Sequence, residues 1–243
     1  MPRLFLIDAK WEGEIKLTDQ LKNYLKKENP KSIDLFASVQ FSDLSNFIKE
    51  LEKLKIKINL SKAKRTDKPL QILGCDCYPD SFQKELNSDL ILYIGDGMFH
   101  PKALVFATNK PITIFDPINN QVKILTKKDI EKELIVKKRN IRKYLNAEKI
   151  GILVTVKPGQ QYLNSAEKLK EQLKKEGKKS YIFINDNINL FNLENYPFIK
   201  AWINTACPRI GTDDIVNTDY TIINLREALN PIKYLEDLEN KNE

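Results

Sequence analysis

Apolar positions along this chain alternate between short unbroken runs and repeats every three or four residues, a pattern that predicts alternating strands and helices. Leu4–Asp8, Ile33–Val39, Ile56–Leu60, Pro69–Leu73, Leu90–Ile94 and Ile112–Phe115 read as strands. Leu90–Ile94 is apolar throughout, as expected of a strand covered on both faces of a parallel sheet. Between the strands, Leu17–Lys27, Leu44–Leu54, Ser81–Leu86 and Pro101–Thr108 carry helical spacing; Leu44, Phe47, Ile48, Leu51 and Leu54 line one face. The long charged segment Lys127–Asn146 predicts a helix that bridges two domains. The alternation then restarts. Lys149–Thr155, Ser180–Ile184, Ala201–Asn204 and Tyr220–Ile223 read as strands, and Tyr162–Glu176 as a helix closed by Gly177. Ile188–Leu193 reads as a helical turn and Leu225–Leu229 as a short helix.

The predicted fold class is α/β: two similar α/β domains with mainly parallel sheets. Residues 1–146, including the bridging helix, form the first domain and 147–235 the second; 236–243 is a polar tail expected to fray.

Composition narrows the function classes. With 243 residues, 42% hydrophobic and 30% charged, the chain has the make-up of a globular protein. No apolar run approaches the roughly 18 residues that suggest a membrane span. The N-terminal apolar stretch is too short for a secretory signal, so a cytoplasmic protein without a membrane partner is expected. The net charge is +7, but the lysines are interleaved with glutamates along helical segments. No arginine-rich tract, zinc-finger spacing or aromatic-basic motif accompanies them, so no direct nucleic-acid partner is expected. A solvated basic surface explains the charge; attraction of an acidic or RNA-associated partner is the alternative.

The chemistry concentrates in loops after strands, where open α/β sheets bind ligands. Three cysteines, Cys75, Cys77 and Cys207, are the chain's only ones, and their odd number points to free, catalytic or metal-bound thiols. Three thiolates are one short of a closed four-ligand site, as in a cluster with an open iron. Gly95-Asp96-Gly97 follows the buried strand and precedes a helix, either as a tight turn or as a ligand loop with helix amides behind it. His100, the only histidine, is a candidate cap or a polar contact to substrate or cluster. Asp116 and Gln40, at two further strand ends, are a turn starter and a helix cap, or ligand contacts. Arg209, in Cys207-Pro208-Arg209, could bind a carboxylate bidentately.

These residues stand in strings that resemble a known family. ILGCD, IGDGMFHPKAL followed by FDP, and ACPRIGTDD look like signatures of the diphthamide-synthesis family, the 2-(3-amino-3-carboxypropyl)histidine synthases. ASVQF, GILVTVKPGQQ and LREAL agree in order and spacing over nearly the whole chain. The resemblance implies three similar α/β domains around a pseudo-threefold centre, each giving one cysteine to a [4Fe-4S] cluster. It further implies that S-adenosylmethionine binds the open iron and yields a 3-amino-3-carboxypropyl group for a histidine of translation elongation factor 2. Cys75 matches the central-domain ligand and Cys207 the C-terminal one; the turn Gly95–Gly97, with His100, Gln40, Asp116 and Arg209, becomes the candidate S-adenosylmethionine site. The chain starts where the family's central domain starts, so the third ligand is Cys77 or a thiol from elsewhere. The resemblance therefore implies a homo-oligomer, or a hetero-oligomer with a paralogue or a separate N-terminal domain. A non-catalytic accessory subunit, or a transferase with another acceptor, is the alternative.

Overall fold

The structure, a computed structural model, describes residues 10–66 and 68–239. The strand expected at Leu4–Asp8 lies outside them. The chain divides into two compact units, Met1–Ile130 and Glu131–Glu243.

In the first unit the elements run α1 (Asp19–Glu28), β1 (Ser32–Ala37), α2 (Ser45–Lys53), β2 (Lys57–Leu60), β3 (Leu90–Ile94), α3 (Phe99–Ala107), β4 (Ile112–Asp116) and β5 (Gln121–Leu125). The sheet order is β2-β1-β3-β4-β5. The first four strands are parallel and β5 returns antiparallel to β4. Side chains alternate across the sheet. Ile33, Leu35 and Ala37 of β1, with Leu90, Leu92 and Ile94 of β3, join Leu21 and Leu25 of α1 and Phe47 and Leu51 of α2 in one core. Each leucine buried there contributes about 1.5–3 kcal/mol over exposure. Phe36, Ile91 and Tyr93 take the other parity, where Phe36 meets the Phe82 ring edge-on at 5.4 Å.

Two expected elements are absent from this unit. Pro69–Leu73 is not a strand: Leu70 adopts a positive φ of 68°, and only Gln71 bridges to Ala37. Ser81–Leu86 is not a helix. A single 3₁₀ turn, Pro79–Ser81, precedes an extended Phe82 that bridges Ala63. Conversely, β5 forms where no strand was expected, because the β4 edge supplies its whole ladder from Asp116↔Gln121 to Ile112↔Leu125.

The second unit contains α4 (Glu131–Leu145), β6 (Lys149–Thr155), α5 (Leu163–Lys175), β7 (Lys179–Asn185), β8 (Ala201–Asn204), β9 (Ile222–Asn224), α6 (Leu225–Leu229) and α7 (Pro231–Glu239). Its sheet, in the order β7-β6-β8-β9, is parallel throughout. Helix α5 ends as expected: Gly177, at φ 78°, donates to Lys174 O while the Lys178 amide donates to Leu173 O. The helix expected to bridge the domains belongs to this unit. Ile141 and Tyr144 of α4 enter its core, and Asn140 Nδ2 donates to Ile222 O at 3.0 Å. Lys137 pairs with fully buried Glu227 of α6 at 2.5 Å. The compact boundary thus falls before Glu131 rather than after residue 146. The expected frayed tail is helical through Glu239, because Tyr234, Leu235 and Leu238 of α7 pack on the same core.

Candidate functional site

Each sheet has one place where the strand order reverses, and ligands in such folds bind outside the strand C-termini there. In the first unit that place lies between β1 and β3. Ser38 leaves β1 and its amide donates to Ile94 O at 3.2 Å; Gly95 leaves β3 and its amide donates to Phe115 O at 3.0 Å. The cysteine loop runs along the far side of β1, with Ala37 N donating to Leu70 O and Ile72 N donating to Ala37 O. One contact ties this loop to the glycine turn. A Cβ on Gly74 would meet the Phe99 ring at 2.0 Å, so the start of α3 lies directly on the residue before Cys75.

The structure therefore brings Cys75, Gly95, Asp96, Gly97 and His100 to one edge of the first unit. Cys75 is half-buried, and Arg65 Nη1 donates to its sulfur at 3.2 Å, an arrangement suited to an anionic thiolate. Cys77 differs. A turn closed by Asp76 N donating to Leu73 O separates the two thiols, and Cys77 is buried at 4% exposure. Two residues of extended strand would have presented both sulfurs alike; this turn does not. Asp76 is wholly buried, with Oδ2 accepting from the Leu73 amide at 2.8 Å and Oδ1 lacking a partner. Burial pushes its carboxyl above the ordinary value, against the lowering effects of the Leu73 amide and Arg65.

Gly97 has φ 65°, a conformation that favours glycine, whereas Gly95 is required by crowding: its Cβ would lie 2.6 Å from the Tyr93 hydroxyl. His100 is half-buried in the first turn of α3 and stacks on Tyr93 at 6.4 Å between ring centroids. Asp116 serves the β4–β5 turn. Its Oδ1 accepts from the Ile118 and Asn119 amides, and its Oδ2 from Asn119 Nδ2 at 2.7 Å. Burial raises its pKa, but the Asn119 and Ile118 hydrogen bonds outweigh that and hold it below the ordinary value. Gln40 sits exposed on a 3₁₀ turn, where its carbonyl accepts from the Trp11 amide.

In the second unit the reversal lies between β6 and β8. Thr205, after β8, donates both its amide and its hydroxyl to Leu153 O, and the half-buried Cys207 follows. Asn204 Nδ2 donates to Cys207 O at 2.8 Å; Asn224 Nδ2 donates to Pro208 O at 2.9 Å. Gly211 fits against Asn224, whose Oδ1 a Cβ there would meet at 2.2 Å. Arg209, expected to reach a ligand carboxylate, is buried, and its guanidinium grips Asp213 of the same loop through Nε and Nη2. Burial, together with the Asp213 charge, raises the neighbouring Asp214 carboxyl.

Sequence reasoning missed Arg65, Asp76, Ser38 and Tyr93. Arg65 stands in a run of charges, and Tyr93 in an apolar strand, so neither carried a signal of its own. Among the described residues, no three His, Cys, Asp or Glu side chains gather into a metal-holding group. The donors nonetheless suit a thiolate-held group in kind, with one half-exposed cysteine at the ligand edge of each sheet. Among the described residues, no helix is long and apolar enough to cross a membrane.

Comparison with known proteins matches these features. The 2-(3-amino-3-carboxypropyl)histidine synthase of Pyrococcus horikoshii is 35% identical over 148 residues, 60% of this chain and 40% of that protein. The corresponding Methanocaldococcus jannaschii synthase is 26% identical over 211 residues, covering 84% of this chain and 54% of its own length. The Yarrowia lipolytica relative, named subunit 1 of the synthase, is 30% identical over 146 residues, 59% of this chain and 32% of that one. The crystal structure of Pyrococcus horikoshii Dph2 with a 4Fe-4S cluster superposes with a TM-score of 0.72 at 25% identity, over 92% of this chain and 63% of that one. This chain thus spans less than two thirds of these relatives. The model of the putative diphthamide synthesis proteins matches residues 5–236, and with two α/β units that each carry a cysteine loop at the ligand edge, the chain belongs to that family.

Proposed function

We propose that this chain is the two-unit part of a 2-(3-amino-3-carboxypropyl)histidine synthase, acting in the first step of diphthamide synthesis on a histidine of translation elongation factor 2. Cys75 and Cys207 serve as thiolate ligands of a [4Fe-4S] cluster, and Cys77 packs as a core residue. When bound, the cluster supplies the electron that opens the methionine-side C–S bond of S-adenosylmethionine, freeing the 3-amino-3-carboxypropyl group. The observation that carries this reading is the placement of Cys75: half-exposed at the β1/β3 edge, with Arg65 on its sulfur and the Gly95–Gly97 turn beside it. Arg65 holds the sulfur as an anion ready for iron. The glycine turn leaves room for the donor, and the start of α3 favours its negative end. In the second unit, the Asn204–Asn224 network and the Arg209–Asp213 pair fix the backbone that presents Cys207.

The missing ligand comes from a second polypeptide, a paralogue or a separate domain, which the subunit naming of the Yarrowia relative supports. The test is anaerobic reconstitution with iron and sulfide, with and without that polypeptide. About four irons per functional unit and absorbance near roughly 400 nm are expected for a thiolate-held cubane. Protein that holds no iron under either condition overturns the reading.

A further inference from the structure

The first unit buries two hydroxyls that have nothing to bond. Ser38 Oγ and Tyr93 Oη are shielded from solvent without a hydrogen-bond partner of good geometry, in residues only 2% and 0% exposed. Such atoms cost on the order of 1–3 kcal/mol each unless something satisfies them. These two are neighbours, on the residue after β1 and in β3, on the two sides of the strand-order reversal. Tyr93 lies at the focus of the turn described above. Gly95 is bare toward its hydroxyl, the His100 ring stacks on it, and the exposed Asp96 carboxylate is close enough to act on it. Helix α3 starts at Met98 without a side-chain cap, leaving the positive end of a nine-residue helix at the same turn. Hydroxyl donors and a helix start suit a carboxylate, whereas Asp96 suits an ammonium. Together they match the two charges of an amino-acid head group.

We infer that Ser38 and Tyr93 bind the carboxylate of the aminocarboxypropyl end of the sulfonium donor, while Asp96 takes its amino group. This rests on the donor being S-adenosylmethionine, as proposed above. The adenosine end lies outside this subsite. The hydroxyls therefore discriminate for the part of the molecule that is transferred.

The test is calorimetric titration of the anaerobically reconstituted protein, with its partner, using S-adenosylmethionine, methionine and methylthioadenosine. Methylthioadenosine retains the nucleoside and lacks the amino-acid head. Tyr93→Phe is expected to weaken S-adenosylmethionine and methionine by about 10-fold or more, leaving methylthioadenosine unchanged. Ser38→Ala should act in the same direction. A second readout is the melting temperature of the metal-free chain, which Tyr93→Phe should leave unchanged or raise, since it removes an unpaired buried hydroxyl. A fall of many degrees would reveal a structural partner and overturn the assignment. Unchanged affinity for all three ligands, as when buried water satisfies the hydroxyls, also overturns it while leaving the donor reading intact. Wild-type protein that binds none of the three overturns the donor reading itself, and the subsite with it.

Discussion

The two cysteine loops leave matching edges of two parallel sheets, yet they treat their polar atoms in opposite ways. Around Cys207 the polar groups are satisfied locally: Asn204, Asn224, Thr212 and Arg209 bond to backbone or side chains of the same loop and its neighbouring strand. Around Cys75, by contrast, Asp76 Oδ1, Ser38 Oγ and Tyr93 Oη are buried without partners. A saturated loop holds a thiol in one place at a gain in stability. An unsaturated one sacrifices stability and keeps atoms in reserve for something that binds. The difference teaches that two topologically matching cysteines need not have matching duties. The second unit presents a ligand, and the first presents a ligand and a binding site.

Mutations can break or sharpen that contrast. The largest effect on folding is expected in the saturated loop. Asp213→Ala leaves the Arg209 guanidinium, whose side chain is only 4% exposed, without its carboxylate. Loss of one partner from a buried pair costs about 3–5 kcal/mol; the partial exposure of Asp213 lowers the expectation to about 2–3 kcal/mol. Denaturant unfolding of the second unit measures it, and a loss below about 1 kcal/mol would show that the network is not what fixes the loop.

In the unsaturated loop, Asp76→Asn should have the smaller effect and the opposite sign. Burial raises the Asp76 carboxyl in the folded chain, so its favourable contribution is complete below the unfolded carboxylate value and is lost as pH rises through the folded one. The amide keeps an oxygen for the Leu73 N–H and carries no charge. The variant should therefore match the wild type near pH 3 and melt above it at pH 7. A variant that melts lower at neutral pH would mean that the ionised carboxylate is part of the folding balance, and the contrast between the loops would weaken.

Much of this fold was legible in the sequence because periodicity reports burial. Leu90–Ile94 and Lys149–Thr155 are strands at the expected residues, and Gly177 closes α5 as its type suggests. What escaped depends on partners. Strand β5 is mostly exposed and polar, and forms because β4 offers an edge. Pro69–Leu73 reads as a strand by composition, but its pairing is a single bridge and Leu70 turns the backbone away. Helix α4 looked like a bridge because its charges are conspicuous, whereas its attachment rests on Asn140, Lys137 and Tyr144 facing inward. In the site, the cysteines and the glycine turn announced themselves. Arg65, ten residues before Cys75, becomes visible only once the chain folds back, and a tyrosine in an apolar strand gives no hint that its hydroxyl is unpaired.

The central claim is that Cys75 and Cys207, and not Cys77, are the chain's cluster ligands. Iron counting on the anaerobically reconstituted complex, comparing Cys75→Ser, Cys77→Ser and Cys207→Ser with the wild type, tests it most directly. The account predicts loss of most iron and of the absorbance near roughly 400 nm in the first and third variants, with wild-type content in the second. Wild-type iron in Cys75→Ser or Cys207→Ser, or its loss in Cys77→Ser, would contradict it.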